Sequence, residues 1–334
     1  MIDTNNLFKE SKYGLFIHFG LYSLLEGEYK GKRSSNYAEW IQSYFRIPNK
    51  EMEELKEKFN PSKLDVRKWV KFASENGMKY IVFTCKHHDG FALFDSKVSD
   101  YNVKNTPYGK DLLKELSIAC KEYGIKLGIY YSQDLDWHEK DGGGYNTVNE
   151  DCAGTSWSNN WDFNDNDKDF DKYFYNKALP QIEEIMTNYG EIFVAWFDIP
   201  FTLSEKQSKE IYDLVKKYQP NCMVNSRLGN GVYDYVSFGD NEIPSSKEEL
   251  KNINSNHNDI NGIKYSENSL YEVCLTLTES WGYSKFSKYK DIELLKSYVD
   301  KCNKCEMNLL INIGPNKDGE LEKEARDLVK KMLK

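Results

Sequence analysis

A chain of 334 residues is too long for one small sandwich and suits a single large α/β barrel. Its 40% apolar content supplies a substantial core and excludes intrinsic disorder. Forty-five basic residues against 53 acidic ones give a net charge of -8, and no Lys/Arg cluster stands clear of neighbouring carboxylates, so no nucleic-acid partner is expected.

Met1-Ile2-Asp3-Thr4 carries no basic n-region and no apolar h-region. The expected location is therefore cytoplasmic, or secreted if a signal peptide has been removed. No run approaches the roughly 18–20 apolar residues of a membrane span, and no membrane association is expected. From there, short apolar runs alternate with longer amphipathic ones, the pattern of repeated β/α units on a parallel sheet. The strand candidates are Tyr13–Phe19, Lys79–Cys85, Lys126–Ser132, Ile192–Phe197, Cys222–Asn225, Asp234–Phe238, Glu272–Thr278 and Asn308–Ile313. Between and after them, helical periodicity covers Val66–Asn76, Lys110–Tyr123, Phe170–Tyr189, Ser204–Tyr218, Asp291–Lys301 and Leu321–Leu333. Asp65 can cap the first of these helices, while Gly77, Gly124 and Gly190 sit at helix C-termini, each just before a strand.

Two segments do not fit regular units. Asp141–Asp167 reads as a long loop after the third strand, and Pro244–Ser269 as a polar insertion after the sixth. Both fall on the βα side, where barrel sites are built. The expected architecture is a single (β/α)8-like TIM barrel domain over residues 1–334. Seven Cys without framework spacing favour a reduced compartment, and Cys302-x-x-Cys305, lacking a second pair, reads as buried structure in a helix.

Residues at the C-terminal ends of barrel strands point into the site. Read this way, the strands offer His18, then His87, His88 and Asp89, then Tyr130, then Trp196 and Asp198. Arg227, Asp240, and Glu272 with Trp281 follow. Asp198 ends an apolar strand, so a helix-capping role before Ser204 is the plain alternative to a chemical one. With Arg227 and several histidines near it, its carboxylate is expected to stay ionised. That is the state a glycosidase nucleophile needs, while a partner carboxyl holds a proton. The His87-His88 pair invites a metal reading, but adjacent strand residues point to opposite sides. Hydrogen bonding to hydroxyls is preferred, with no metal and no organic cofactor expected.

Several blocks then carry a resemblance. They are Tyr13-Gly14-Leu15-Phe16-Ile17-His18-Phe19-Gly20, Ala38-Glu39-Trp40, Lys86-His87-His88-Asp89-Gly90-Phe91 and Gly128-Ile129-Tyr130-Tyr131-Ser132. Trp196-Phe197-Asp198, Val224-Asn225-Ser226-Arg227, Ser280-Trp281-Gly282-Tyr283 and Asn312-Ile313-Gly314-Pro315 follow. Together and in this order they resemble the α-L-fucosidases of glycoside hydrolase family 29. The resemblance implies a retaining exo-α-L-fucosidase acting on terminal α-L-fucosyl linkages of glycans, through a covalent intermediate on Asp198. It implies that His18, Glu39, Trp40, His87, His88, Tyr130, Trp196 and Arg227 hold the sugar, with Trp281 against its methyl group. The family acid/base sits on a variable loop, where counting back from Ile243-Pro244 selects Asp240. Glu272 and Glu242 remain alternatives. Many relatives carry a C-terminal β-sandwich, for which no sequence follows the final helix. The two rival readings are a catalytically silent fucose-binding barrel and a metal-dependent barrel hydrolase.

Overall fold

The structure is a computed structural model that describes residues 3–34, 37–144, 148–149, 155–246, 248–249 and 269–334. Most of the 244–269 insertion, and residues 145–147 and 150–154 of the loop after the third strand, lie outside the described residues.

Eight strands form the main sheet: β1 Tyr13–Ile17, β2 Tyr80–Lys86, β3 Lys126–Tyr131, β4 Val194–Phe197, β5 Met223–Val224, β6 Val236–Ser237, β7 Tyr271–Thr276 and β8 Asn308–Ile313. Every neighbouring pair is parallel, in the order β6-β7-β8-β1-β2-β3-β4-β5. The first strand pairs with the last, Tyr13 opposite Leu309 through Ile17 opposite Ile313. At the remaining seam, β5 and β6 meet through a single parallel bridge, Asn225 to Tyr235. The expected barrel is therefore present, pinned most lightly between its fifth and sixth strands.

Period-two alternation sorts the strand residues into two cores. Leu15, Ile17, Ile81, Phe83, Ile129, Ala195, Phe197, Val273, Leu275, Leu309 and Ile311 face the outer helices in one buried cluster. Phe16, Tyr80, Val82, Tyr130, Trp196, Cys274 and Leu310 fill the barrel interior in a second. The large ring of Tyr80 fits there because β1 has Gly14 opposite it. A Cβ on Gly14 would lie 2.5 Å from that ring.

The helices over Val66–Glu75, Leu112–Tyr123, Glu205–Tyr218, Ile292–Cys305 and Lys323–Met332 follow the sequence reading within a few residues. Asp65 and Asp111 cap the first two, and Ser204 with Gln207 forms a capping box on the third. The expected helix over 170–189 is continuous but widens to a π-helical turn over Phe174–Ala178. Pro180 lies just beyond and has no N–H to continue the regular ladder. Cys302 and Cys305 are buried at the end of their helix, as the pattern implied. Among the described residues, no helix is long and apolar enough to cross a membrane.

Candidate active site

β4 delivers Trp196 and Asp198 to the same inward side, two residues apart, while Phe197 between them faces the outer core. Asp198 is buried, with 12% of its side chain exposed. Its Oδ1 accepts from Arg227 Nη1 at 3.1 Å and its Oδ2 from the Tyr130 hydroxyl at 2.9 Å. Its backbone N–H donates to Gln133 Oε1 at 2.9 Å, and Gln133 Nε2 donates to the Arg227 carbonyl at 3.2 Å. Gln133, which the sequence reading did not single out, thus ties the ends of β3, β4 and β5 together.

Arg227 binds two carboxylates. Its Nη2 donates to Asp240 Oδ1 at 2.7 Å and to the Phe238 carbonyl at 2.6 Å. The guanidinium lies over the Trp196 ring, 4.7 Å from its centroid. Asp240 has 28% of its side chain exposed, and its Oδ2 accepts from Trp281 Nε1 at 3.0 Å. Asp198 and Asp240 therefore meet across one arginine at the barrel mouth.

The other two acid candidates stand elsewhere. Glu242 turns back on its own loop, where its Oε2 accepts from the Gly239 N–H at 2.9 Å. Glu272 is the second residue of β7, low in the barrel and fully buried. It accepts from Tyr80 at 2.6 Å, from Trp196 Nε1 at 2.9 Å and from Tyr235 at 3.3 Å. Burial pushes its carboxyl up to about 7.

Beside Arg227 the Asp198 carboxyl is raised from the ordinary aspartate value rather than lowered. Burial raises it, and the Arg227 charge opposes this without overcoming it. The histidines add no positive charge, because burial lowers all three. His18 falls to about 3, while His87 and His88 fall well below the usual imidazole range.

Their tautomers follow from the second contact of each partner. Asn312 Nδ2 donates to the Trp281 carbonyl at 2.8 Å, so its Oδ1 faces His18 Nδ1 at 2.7 Å and accepts from it. Ser132 donates to the Leu135 carbonyl at 2.9 Å, so its oxygen accepts from His88 Nδ1 at 2.7 Å. Each imidazole is left with a lone pair on Nε2. That of His88 lies 3.9 Å from Asp198 Oδ2, too far for a hydrogen bond and lacking the charge of an ion pair.

His87 and His88 do not splay to opposite faces as expected. Their ring centroids lie 4.1 Å apart, because β2 ends at Lys86 and the chain turns. His87 stacks on Tyr130 at 5.4 Å, and its Nδ1 is buried with no hydrogen-bond partner. Among the described residues, no group of three or more His, Cys, Asp or Glu could hold a metal ion.

Glu39 comes from the short helical turn Ala38–Trp40. Its Oε2 accepts from the Gly282 N–H at 2.9 Å, whereas its buried Oε1 has no partner. Burial pushes this carboxyl up to about 7. Trp40 packs edge-on to His88 at 5.1 Å, and Trp281 lies 5.1 Å from His18 on the other side. Trp196 and Tyr130 stack at 5.6 Å in the barrel interior. The residues selected from the sequence to hold or attack the sugar thus gather with Asp240 at one end of the barrel, where Glu242 is turned back on its own loop, while Glu272 lies low in the interior.

A parallel barrel whose C-terminal face joins a carboxylate pair to neutral imidazoles and indoles has the layout of a glycoside hydrolase. Comparison with known proteins narrows that class. The profile of the Alpha-L-fucosidase family matches residues 2–334, and the chain belongs to that family. It is similar to alpha-L-fucosidase 1 of Arabidopsis thaliana, 33% identical over 181 residues, which covers 52% of this chain and 30% of that protein. The plasma alpha-L-fucosidase of Homo sapiens is 24% identical over 349 residues, covering 97% of this chain and 66% of that one. The chain therefore spans less than two thirds of the length of these relatives. Among solved structures, α-L-fucosidase AlfC from Lactobacillus casei in complex with α-L-fucose product is 48% identical, with a TM-score of 0.91. That match covers 99% of this chain and 97% of AlfC. Other AlfC structures hold 4-nitrophenyl-α-L-fucopyranoside or Fucα(1,6)GlcNAc.

Proposed function

We propose that this chain is one catalytic domain, a retaining exo-α-L-fucosidase whose substrate is a fucosylated glycan or oligosaccharide. The observation that carries this reading is the pair Asp198 and Asp240 on the single guanidinium of Arg227. Asp198 is the nucleophile. Its carboxylate oxygen forms an ester bond to the anomeric carbon as the bond to the leaving oxygen breaks, and Asp240 gives that oxygen its proton. Asp240 then takes a proton from water, whose oxygen attacks the same carbon and releases Asp198 and fucose. Neither step calls on a metal or an organic cofactor.

Asp240 is preferred over its rivals on geometry. Glu242 spends its carboxylate on Gly239, and Glu272 lies under Trp196 with three donors already on it. The rest of the pocket is short of donors rather than acceptors. Lone pairs on His18 and His88, with the unpartnered Glu39 Oε1, suit a ligand rich in hydroxyl hydrogens. The indole of Trp281 offers an apolar face for a methyl substituent. Because AlfC binds Fucα(1,6)GlcNAc, that disaccharide is the first to assay here.

The test is the anomeric form of the fucose first released, followed by NMR during turnover. Retention of the α form supports the reading. The β form, or an Asp198→Ala variant that still turns over, overturns it. A silent fucose-binding barrel would give no release at all.

A further inference from the structure

The turn that carries Asp240 is fastened by a residue from outside the pocket. Asn241 sits in the left-handed region at φ +58°, and its N–H donates to the Cys274 carbonyl at 3.1 Å. Its Oδ1 accepts from the Thr276 N–H at 2.9 Å and from Lys290 Nζ at 2.5 Å. Lys290 Nζ also donates to the Thr276 carbonyl at 2.8 Å and to Thr276 Oγ1 at 3.0 Å. The Thr276 hydroxyl has one hydrogen and two acceptors in reach, the Thr278 carbonyl at 2.6 Å and Asn241 Oδ1 at 3.1 Å; donated to the nearer, it leaves the hydroxyl oxygen free to accept. Three acceptors thus meet three hydrogens, and a neutral amine would leave one acceptor empty.

Among the described residues, Lys290 does this without a counter-ion. On the facing turn, Asp240 is held by Arg227 and Trp281, and Glu242 by Gly239. On β7, Glu272 points into the barrel, where Tyr80, Trp196 and Tyr235 bind it, and the Cys274 thiol faces Arg227. Asp291, next in the chain, caps the following helix. Burial lowers the Lys290 ammonium to about 8.

We propose that Lys290 is a positioning residue for Asp240: its ammonium clamps Asn241 against the end of β7 and so aims the Asp240 carboxyl at the leaving oxygen. This rests on the reading of Asp240 as the acid. As pH rises past the point where Lys290 loses its proton, the clamp loses a hydrogen bond and its charge, and proton delivery falls.

The experiment uses the full chain and two substrates. Nitrophenolate leaves 4-nitrophenyl fucoside without needing a proton, whereas the sugar of Fucα(1,6)GlcNAc needs one. Asp240→Asn tests the underlying reading, with kcat/KM on the disaccharide falling by ~10²–10⁴ and far less on the aryl fucoside. Lys290→Met is expected to lose ~10–100-fold on the disaccharide and under ~3-fold on the aryl fucoside, a fraction of the full acid contribution. Lys290→Arg, which keeps its charge, should lose less than ~3-fold on the disaccharide. If Asp240→Asn behaves as stated but Lys290→Met loses equally on both substrates, or on neither, the clamp is overturned. A disaccharide loss in Lys290→Arg as large as that in Lys290→Met overturns it as well. If Asp240→Asn spares the disaccharide, the assignment of Asp240 falls, and the role of Lys290 falls with it.

Discussion

Replacing Glu272 by Gln should make the protein more stable at pH 8 and leave it nearly unchanged at pH 4.5. The carboxyl is fully buried, and burial lifts it from 4.5 to about 7. Because the folded chain holds this proton more tightly than the unfolded one, its contribution is full below pH 4.5 and is lost as pH rises toward 7. At about 1.4 kcal/mol for each tenfold in proton affinity, the loss is about 3 kcal/mol. Gln keeps the shape. Its oxygen can accept from Trp196 and Tyr235, and its amide can donate to the Tyr80 oxygen. Over 334 residues, about 2.1 cal/mol/K of unfolding entropy per residue converts that difference to about 4 °C in Tm. Thermal unfolding of both proteins from pH 4.5 to 8 reads it directly. Glu39, Asp89 and Asp134, each pushed up to about 7, cancel in the difference. Parallel Tm–pH curves would refute the reasoning, as would a variant less stable at pH 8. The same variant bears on mechanism. If Glu272 were the acid, Gln would spare aryl fucosides and cripple disaccharides, whereas a residue under Trp196 should affect both alike.

Further outcomes follow from the same geometry. Asp198→Ala should lose at least about 10³-fold in kcat yet still bind fucose, measured by calorimetry; retained turnover would exclude it as the nucleophile. Nitrogen-15 NMR should find His18 and His88 as neutral, Nδ1-protonated imidazoles from pH 5 to 8, and a titration in that range would contradict the assignment. Gly90→Ala should destabilise the fold by about 2 kcal/mol or more. Gly90 has φ +79°, and a Cβ there would lie 2.2 Å from Asp136 Oδ1. A chelator should leave turnover unchanged; lost activity restored by a divalent cation would revive the metal reading.

Much of the barrel was legible because its strands are buried on both faces, so apolar runs mark them without ambiguity. β8 occupies Asn308–Ile313, as read from the sequence. β5 and β6 are shorter than their apolar runs suggested because side chains replace the ladder at their ends. Asp234 Oδ2 accepts the Val224 N–H at 2.8 Å, and Asn225 takes the N–H and carbonyl of Phe197. The C-terminal-end rule selected Asp198, Arg227 and Asp240, since the fold aims every such position at one place. It misled on Glu272, which stands at the start of its strand rather than the end. Gln133 carried no signal, because its partners, Asp198 and Arg227, lie 65 and 94 positions away. The direction of proton affinity at Asp198 was illegible for a related reason. Counting neighbouring charges requires knowing which imidazoles are neutral, and burial decides that.

The most direct measurement is covalent trapping with a 2-fluoro-fucosyl inhibitor, followed by proteolysis and mass spectrometry of the labelled peptide. Double displacement through Asp198 predicts one sugar per chain, held as an ester on that side chain and lost on standing in water. A label on any other residue, or substrate turnover with no adduct ever formed, would contradict it.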